Sequence, residues 1–362
     1  MNARSRLIQF ILLAFLPLFL PRQAVFAQEF KSQNLYYIGG GREAIADFAR
    51  HADQITIICP AAFQIDSDGV ISGDIDPRIR DIAQAHHVKV MPLFAYFDQK
   101  GIHMLLQDPA ARREAIRLLL FYAEQQHFYG WQFDLEHVSF KDRDAYTSFY
   151  SQAADSLHAH GFKISMAIVK SDQLAPQRGN VAYQRFLYRD WDGAFDVKHI
   201  AEVSDFISYM TYDQNTALTP PGPVAGLPWM KDMLQYLLDA GVPASKISLG
   251  IPGYSDYWYP AWDPKNGAHS TRAEISYADA MDLVDRYNLH LGWMADQAVH
   301  YAYWDNYGVF NWLFLEDAAS WKPKLALAES HHLLGISVWI LGTEDPHTWD
   351  VLRQEAKTAK LN

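Results

Sequence analysis

A chain of 362 residues with 49% hydrophobic and 20% charged side chains has the balance of a globular protein, which excludes fibrous and disordered classes. The formal net charge of −11 disfavours nucleic acid and anionic membrane as partners and suits a neutral substrate. A single cysteine, Cys59, rules out an intrachain disulfide, so stability has to come from one large core.

The first 27 residues read as a secretory signal. Arg4 and Arg6 precede an apolar run over 7–20, and Val25 and Ala27 occupy the small-residue positions before a cleavage point after Ala27. The run is shorter than the roughly 20 residues a membrane span needs, and Pro17 and Pro21 interrupt its end. Cleavage removes Arg4, Arg6 and Arg22 and no acidic residue, which takes the charge from −11 to −14. The expected location is secreted or periplasmic, with no membrane attachment after cleavage.

Residues 28–362 read as one catalytic unit. Strand-like apolar runs fall at 35–38, 55–58, 88–93, 131–135, 163–168, 206–209, 246–250 and 335–340, with amphipathic stretches between them. Cys59 adjoins the second run and reads as a buried strand residue. Asp108-Pro109 is an N-cap followed by proline at the first helical position, opening a helix to about 127. A second helix over 229–240 stops at Gly241. Eight strands alternating with helices indicate an α/β fold, and their count and the chain length favour a closed (β/α)8 TIM barrel over an open doubly wound sheet. Residues 252–315 are too long for one connection and are rich in Tyr and Trp, including Tyr254, Trp258 and Trp304. They are expected to form a small α+β insertion between strands 7 and 8. Its aromatic residues either bind glycan along a cleft or pack on one another.

The segment Tyr129-Gly130-Trp131-Gln132-Phe133-Asp134-Leu135-Glu136 carries the chemistry. Side chains alternate along a strand, so Gln132, Asp134 and Glu136 share one face and Trp131, Phe133 and Leu135 the other. On a barrel strand the apolar set meets the helices. The polar set then faces inward, with its last member at the C-terminal mouth where active sites of this fold form. The like charge of Asp134 favours a protonated Glu136, and partial burial works in the same direction. A carboxyl held protonated near neutrality can donate to a leaving oxygen.

This segment resembles the signature of family 18 glycoside hydrolases, Asp-Gly-x-Asp-x-Asp-x-Glu at the end of the fourth strand, with Gly130, Asp134 and Glu136 matching. Tyr129 and Gln132 stand where the family has its first two aspartates, and an amide at the second is reminiscent of the spore-cortex peptidoglycan hydrolase branch. Tyr209-Met210-Thr211-Tyr212-Asp213 resembles the sixth-strand motif, and Gly250-Ile251-Pro252-Gly253-Tyr254 the seventh-strand ending. The run from Gly335 to Gly342 resembles the eighth strand, with Trp339 as the floor of the sugar site. Glu316, Asp317, Ser320 and Lys324 resemble the helix before it.

The resemblance implies substrate-assisted, retaining hydrolysis of glycans containing N-acetylglucosamine, peptidoglycan or chitin among them, with no cofactor. Glu136 would be the acid and then the base, and Asp134 would hold the substrate's acetamido group, aided by the Tyr212 hydroxyl. Gln132 would orient Asp134 through a hydrogen bond. Met210, Asp213 and Trp339 would contact the sugar; core packing suits Met210 equally and is the lesser alternative for Trp339, since an aromatic at a barrel strand's end is well placed to stack on a sugar ring.

Other chemistries fit less well. Gly39-Gly40-Gly41 lacks the spacing of a nucleotide fingerprint, and no Gly-x-Ser-x-Gly elbow is present. His158 and His160 lie two apart and do not share a helix face, so no metal site is expected. Two alternatives stay open beside the hydrolase: a catalytically weak glycan-binding barrel, which the loss of two signature aspartates suggests, and a carbohydrate enzyme in which a carboxylate attacks directly.

Overall fold

The structure, a computed structural model, describes residues 32–169, 181–263, 267–306 and 308–358. The signal segment expected over 1–27 lies outside these residues. Among the described residues no helix is long and apolar enough to cross a membrane.

Eight parallel strands close into a barrel. They are β1 (Gln33–Ile38), β2 (Ile57–Ile65), β3 (Leu93–Tyr96), β4 (Gly130–Leu135), β5 (Lys163–Ile168), β6 (Phe206–Tyr209), β7 (Ile247–Pro252) and β8 (Gly335–Trp339). Each pairs with its neighbours in chain order, and β1 closes the ring by pairing with both β2 and β8. All eight strands therefore fall where the apolar runs indicate, with two shifts. The third run splits into Lys89–Val90 and β3, because Pro92 between them has no N–H for the ladder. The Pro92 carbonyl is still used, accepting from the backbone N–H of Gln132. β2 continues well past residue 58, because Phe63 and Ile65 keep burying one face and pair with Ile71–Gly73 in a hairpin.

Helices cover the outside of the ring. Pro109–Gln126 begins as expected, with the Asp108 carboxylate accepting from Ala110 N–H, and ends at His127 in the left-handed conformation. Leu227–Asp239 likewise gives way to Gly241, at φ 85°. Between helices and strands lies the main core, to which β4 contributes Trp131, Phe133 and Leu135. The Trp131 ring meets Phe63, Phe94 and Phe128 edge-on, and its N–H donates to the Leu119 carbonyl at 2.9 Å. Burying a side chain of that size stabilises by on the order of 4–6 kcal/mol.

The barrel interior holds a smaller apolar cluster of Leu35, Tyr37, Ile57, Cys59, Met91 and their neighbours. Around it run buried hydroxyls that pair across strands: Tyr37 with Ser208 and Ser248 with Ser337, both at 2.6 Å. Cys59 is fully buried here, as its strand position indicates.

Between β7 and β8 stands an antiparallel five-stranded sheet, in the order Gly267–Ile275, Ser255–Asp263, Phe310–Leu315, Val299–Asp305, Gly292–Met294. Helix Tyr277–Arg286 covers one face through Ala280, Ala302, Trp304, Leu313 and Leu315. The register pairs Trp258 with Arg272 and Asp256 with Glu274, which puts these four residues on the opposite face.

Candidate active site

β4 delivers two carboxyls to the barrel's C-terminal mouth. Gln132 and Asp134 point inward and are buried, at 0% and 5% exposure, whereas Glu136 is only half-buried. The ladder reaches Glu136, whose N–H donates to the Tyr96 carbonyl at 3.2 Å. The next residue, His137, sits at φ 59°, so the chain turns sharply just past the carboxyl.

Burial is the main influence on both acids. It pushes Asp134 up from the ordinary carboxylate range to about 7. Glu136 is raised by burial first, and further by the charges of Asp134 and Asp213. Sequence reasoning put the like charge first, because the depth of the site cannot be read from alternation. A proton is thus retained on the pair near neutrality.

Gln132 departs from the expected arrangement. Neither its amide nitrogen nor its oxygen has a hydrogen-bond partner among the described residues, and one Asp134 oxygen is equally unpartnered. The expected bond between them is not formed, because side chains two apart on a strand stand parallel, perpendicular to the sheet, and do not lean together. Ser165 on β5, in register with Gln132, also lacks a partner for its hydroxyl. The floor beneath Asp134 therefore keeps unused polar groups.

The end of β6 supplies the opposite wall. Met210 extends the ladder, its N–H donating to the Ile168 carbonyl at 2.9 Å, and its side chain is half-buried. Thr211 then turns its hydroxyl onto the Gly250 carbonyl at 2.6 Å. A side chain on Gly250 would fall 2.4 Å from the Tyr209 carbonyl and 3.0 Å from the Tyr212 ring, so glycine is what lets Tyr212 lie against β7. Burial raises the Tyr212 hydroxyl well above its usual range, and the charges of Asp134, Asp213 and Glu136 add to this. It remains a proton donor beside the acids.

Asp213 adopts φ 59°, and one carboxylate oxygen accepts from both the Tyr254 hydroxyl and the Arg272 guanidinium, each at 2.7 Å. Arg272 also pairs with Asp256 at 2.9 Å and with Glu274 at 3.0 Å. Burial works against the arginine's charge, but Asp256 and Asp213 outweigh it. Asp256, fully buried, is pushed up to about 8 mainly by burial. Asp213, expected as a sugar contact, is thus also the link that ties the inserted sheet to the mouth.

Trp339 ends β8 half-buried, its ring 5.2 Å from that of Tyr37 and its carbonyl accepting from Gly253 at 2.7 Å. The structure therefore gathers Asp134, Glu136, Tyr212 and Asp213 into one electrostatic group, with Gln132 below it and Trp339 on Tyr37 at the floor. Sequence reasoning placed Tyr254 in a family motif without a role, and missed Tyr37, Asp256, Arg272 and Glu274. Tyr37 carried a usable signal, its inward parity on β1. The insertion residues carried none, because only the antiparallel register brings them together. Among the described residues no group of three or more His, Cys, Asp or Glu is placed to hold a metal ion.

The family model for glycosyl hydrolases family 18 matches residues 25–344. The cortical fragment-lytic enzyme of Bacillus subtilis (strain 168) is 26% identical over 326 residues, spanning 88% of this chain and 72% of that protein. An uncharacterized glycosylase of the same organism, YvbX, is 24% identical over 332 residues, spanning 89% and 90%. Among solved structures, a chitinase from Chromobacterium violaceum ATCC 12472 superposes with a TM-score of 0.77 at 23% identity, covering 89% of this chain and 98% of its own. The spore cortex-lytic enzyme SleL of Bacillus megaterium QM B1551 gives 0.77 at 22%, covering 89% and 73%. These two likenesses speak to the barrel fold.

Proposed function

The chain belongs to glycosyl hydrolase family 18 and is a glycoside hydrolase, and on that premise we propose that it cleaves β-1,4 linkages next to N-acetylglucosamine by substrate-assisted, retaining catalysis. The observation that carries this reading is the placement of Glu136: half-buried at the barrel mouth, raised in pKa, beside the fully enclosed Asp134.

A glycosidic bond breaks when its oxygen takes a proton as the bond to the anomeric carbon lengthens. Glu136, kept protonated by burial, donates that proton and becomes a carboxylate. The acetamido oxygen of the sugar forms the new bond to the anomeric carbon, giving an oxazolinium ion while the alcohol departs. Asp134 accepts from the acetamido N–H and steadies the positive charge, and the Tyr212 hydroxyl donates to the acetamido oxygen. Water then loses a proton to Glu136 and opens the ring from the face the alcohol left, so configuration is retained. Trp339 supplies a flat apolar surface for the sugar ring.

The substrate class is peptidoglycan or a chitin-type glycan. The chain's negative charge suits a neutral chitin-type polymer, while a relative named cortical fragment-lytic enzyme points to peptidoglycan and a structural neighbour is named chitinase. Export through cleavage after Ala27 would put the enzyme in contact with such material, secreted or in the periplasm. One observation favours a second reading, a glycan-binding barrel with weak hydrolysis: the unpartnered amide of Gln132 stands where the family signature has an acid that shares a proton.

The test incubates the protein with N-acetylglucosamine oligomers, with the corresponding glucosamine oligomers and with purified peptidoglycan, following products by mass. Cleavage confined to N-acetylated glycans is the expected result. Equal cleavage of glucosamine oligomers would remove the acetamido group from the mechanism. Binding without cleavage of any of them would establish the second reading.

A further inference from the structure

One polar group at the mouth has no role in the reaction described above. Trp191 follows helix Val181–Asp190, its backbone N–H closing on the Leu187 carbonyl at 2.8 Å. Its ring lies 5.1 Å from that of His137, the residue after Glu136. The indole N–H is buried and meets no acceptor at hydrogen-bonding distance and angle, yet it is near enough to the Glu136 carboxyl to favour the ionised acid there. A buried donor left unpaired is costly, so its persistence calls for a partner that appears at some stage.

The segments on either side are fastened to each other. Gln99, first residue of helix Gln99–Gln107, donates its side-chain amide to the His137 carbonyl at 3.0 Å and to the Asp190 carbonyl at 3.4 Å. Those carbonyls belong to the residues flanking Glu136 and Trp191. One amide thus fixes the acid and the indole relative to each other, across three separate elements of the barrel.

We propose that Trp191 is a positioning residue: its N–H is reserved for the carboxylate form of Glu136, and closes on it once the proton has gone to the leaving group. The indole then keeps the carboxylate aimed while it waits to take a proton from water. This rests on the acid and base roles assigned to Glu136 above. The other groups facing Glu136 cannot do the same. Asp134 and Asp213 repel the carboxylate, Tyr212 is committed to the acetamido group, and burial lowers the His137 pKa, which keeps its imidazole neutral. Arg272, which pairs with Asp213, is already engaged by Asp213, Asp256 and Glu274.

Trp191→Phe keeps the ring against His137 and removes only the donor. Losing a donor to the ionised form raises the pKa of Glu136. The alkaline limb of kcat/KM on N-acetylglucosamine oligomers should therefore move up by about half to one pH unit, and kcat should fall roughly 3- to 10-fold. A purely structural role would lower activity without moving the limb. Gln99→Leu, which frees the clamp and leaves the indole, should shift the limb in the same direction by less, and serves if the first variant does not fold.

A second readout needs no substrate. In the 15N-labelled protein, the indole N–H signal absent from the Trp191→Phe spectrum should move downfield as pH rises through the ionisation of Glu136. In Glu136→Gln it should stay fixed. Active enzyme whose limb and indole signal are both unmoved would overturn the proposal. Absence of hydrolysis with a titrating indole would instead count against the assigned reaction while upholding the contact.

Discussion

Glu136→Gln should lower kcat by roughly 10³-fold or more while KM changes little, because a single carboxyl serves as acid in one step and base in the next. The amide preserves the shape of the side chain and its place at the end of β4, so the loss isolates proton transfer. The same variant should gain stability in a pH-dependent way. Burial and the charges of Asp134 and Asp213 raise the folded-state pKa of Glu136 above its unfolded value. The stabilising contribution of such a group is complete below the ordinary carboxyl range and is lost as pH rises through the raised folded value. A neutral amide loses nothing over that window. The melting temperature of Glu136→Gln should therefore exceed that of the wild type at pH 8, by a margin that shrinks toward pH 5. A margin equal at both pH values would mean that the carboxyl is not held protonated by its surroundings.

Lys324→Ala is expected to be the most damaging change away from the mouth, costing about 3–5 kcal/mol. Lys324 and Glu316 are fully buried and paired with each other, and the Ser320 hydroxyl donates to the same carboxylate oxygen at 2.7 Å. Burial pushes Glu316 up and Lys324 down, each opposed by the partner's charge. Removing the lysine leaves a carboxyl with no compensating charge and a cavity beside it. Replacing both members, as in Glu316→Leu with Lys324→Met, should recover most of the loss, because neither charge is then stranded. Denaturant melts of the single and double variants check this, and a single-variant cost below about 1 kcal/mol would contradict it. The pair matters to the site through its helix, Ala318–Ser330. Trp321 of that helix donates its N–H to the Pro252 carbonyl at the tip of β7, 3.2 Å away, beside the strand that carries Trp339.

The barrel was legible because its strands are buried on both faces and stand out as apolar runs between capped helices. The chemistry of β4 was legible for the opposite reason. Gln132, Asp134 and Glu136 interrupt an apolar pattern at the period of a strand, and buried carboxyls are costly enough to mark a candidate site there. Two things were hidden. The strength of burial around Glu136 depends on how far the surrounding loops rise above the mouth, and no local pattern encodes that height. The ion cluster of Asp213, Asp256, Arg272 and Glu274 joins residues up to 61 positions apart through the register of a sheet whose strands could be counted only in the structure. Trp191 belongs with these. No local pattern singles it out, and the Gln99 bridge and the His137 ring contact bring it to the acid only in the fold.

The most direct test of the account is the anomeric form of the first product. Following hydrolysis of an N-acetylglucosamine oligomer by proton NMR, before mutarotation mixes the anomers, separates retaining from inverting routes, and the glucosamine oligomers above separate acetamido participation from direct attack by a carboxylate. Substrate-assisted attack with Glu136 serving as acid and base predicts the β anomer first. An α product appearing first would mean that water attacks directly from the opposite face, and would contradict the assignment of Asp134, Tyr212 and Glu136 to an oxazolinium pathway.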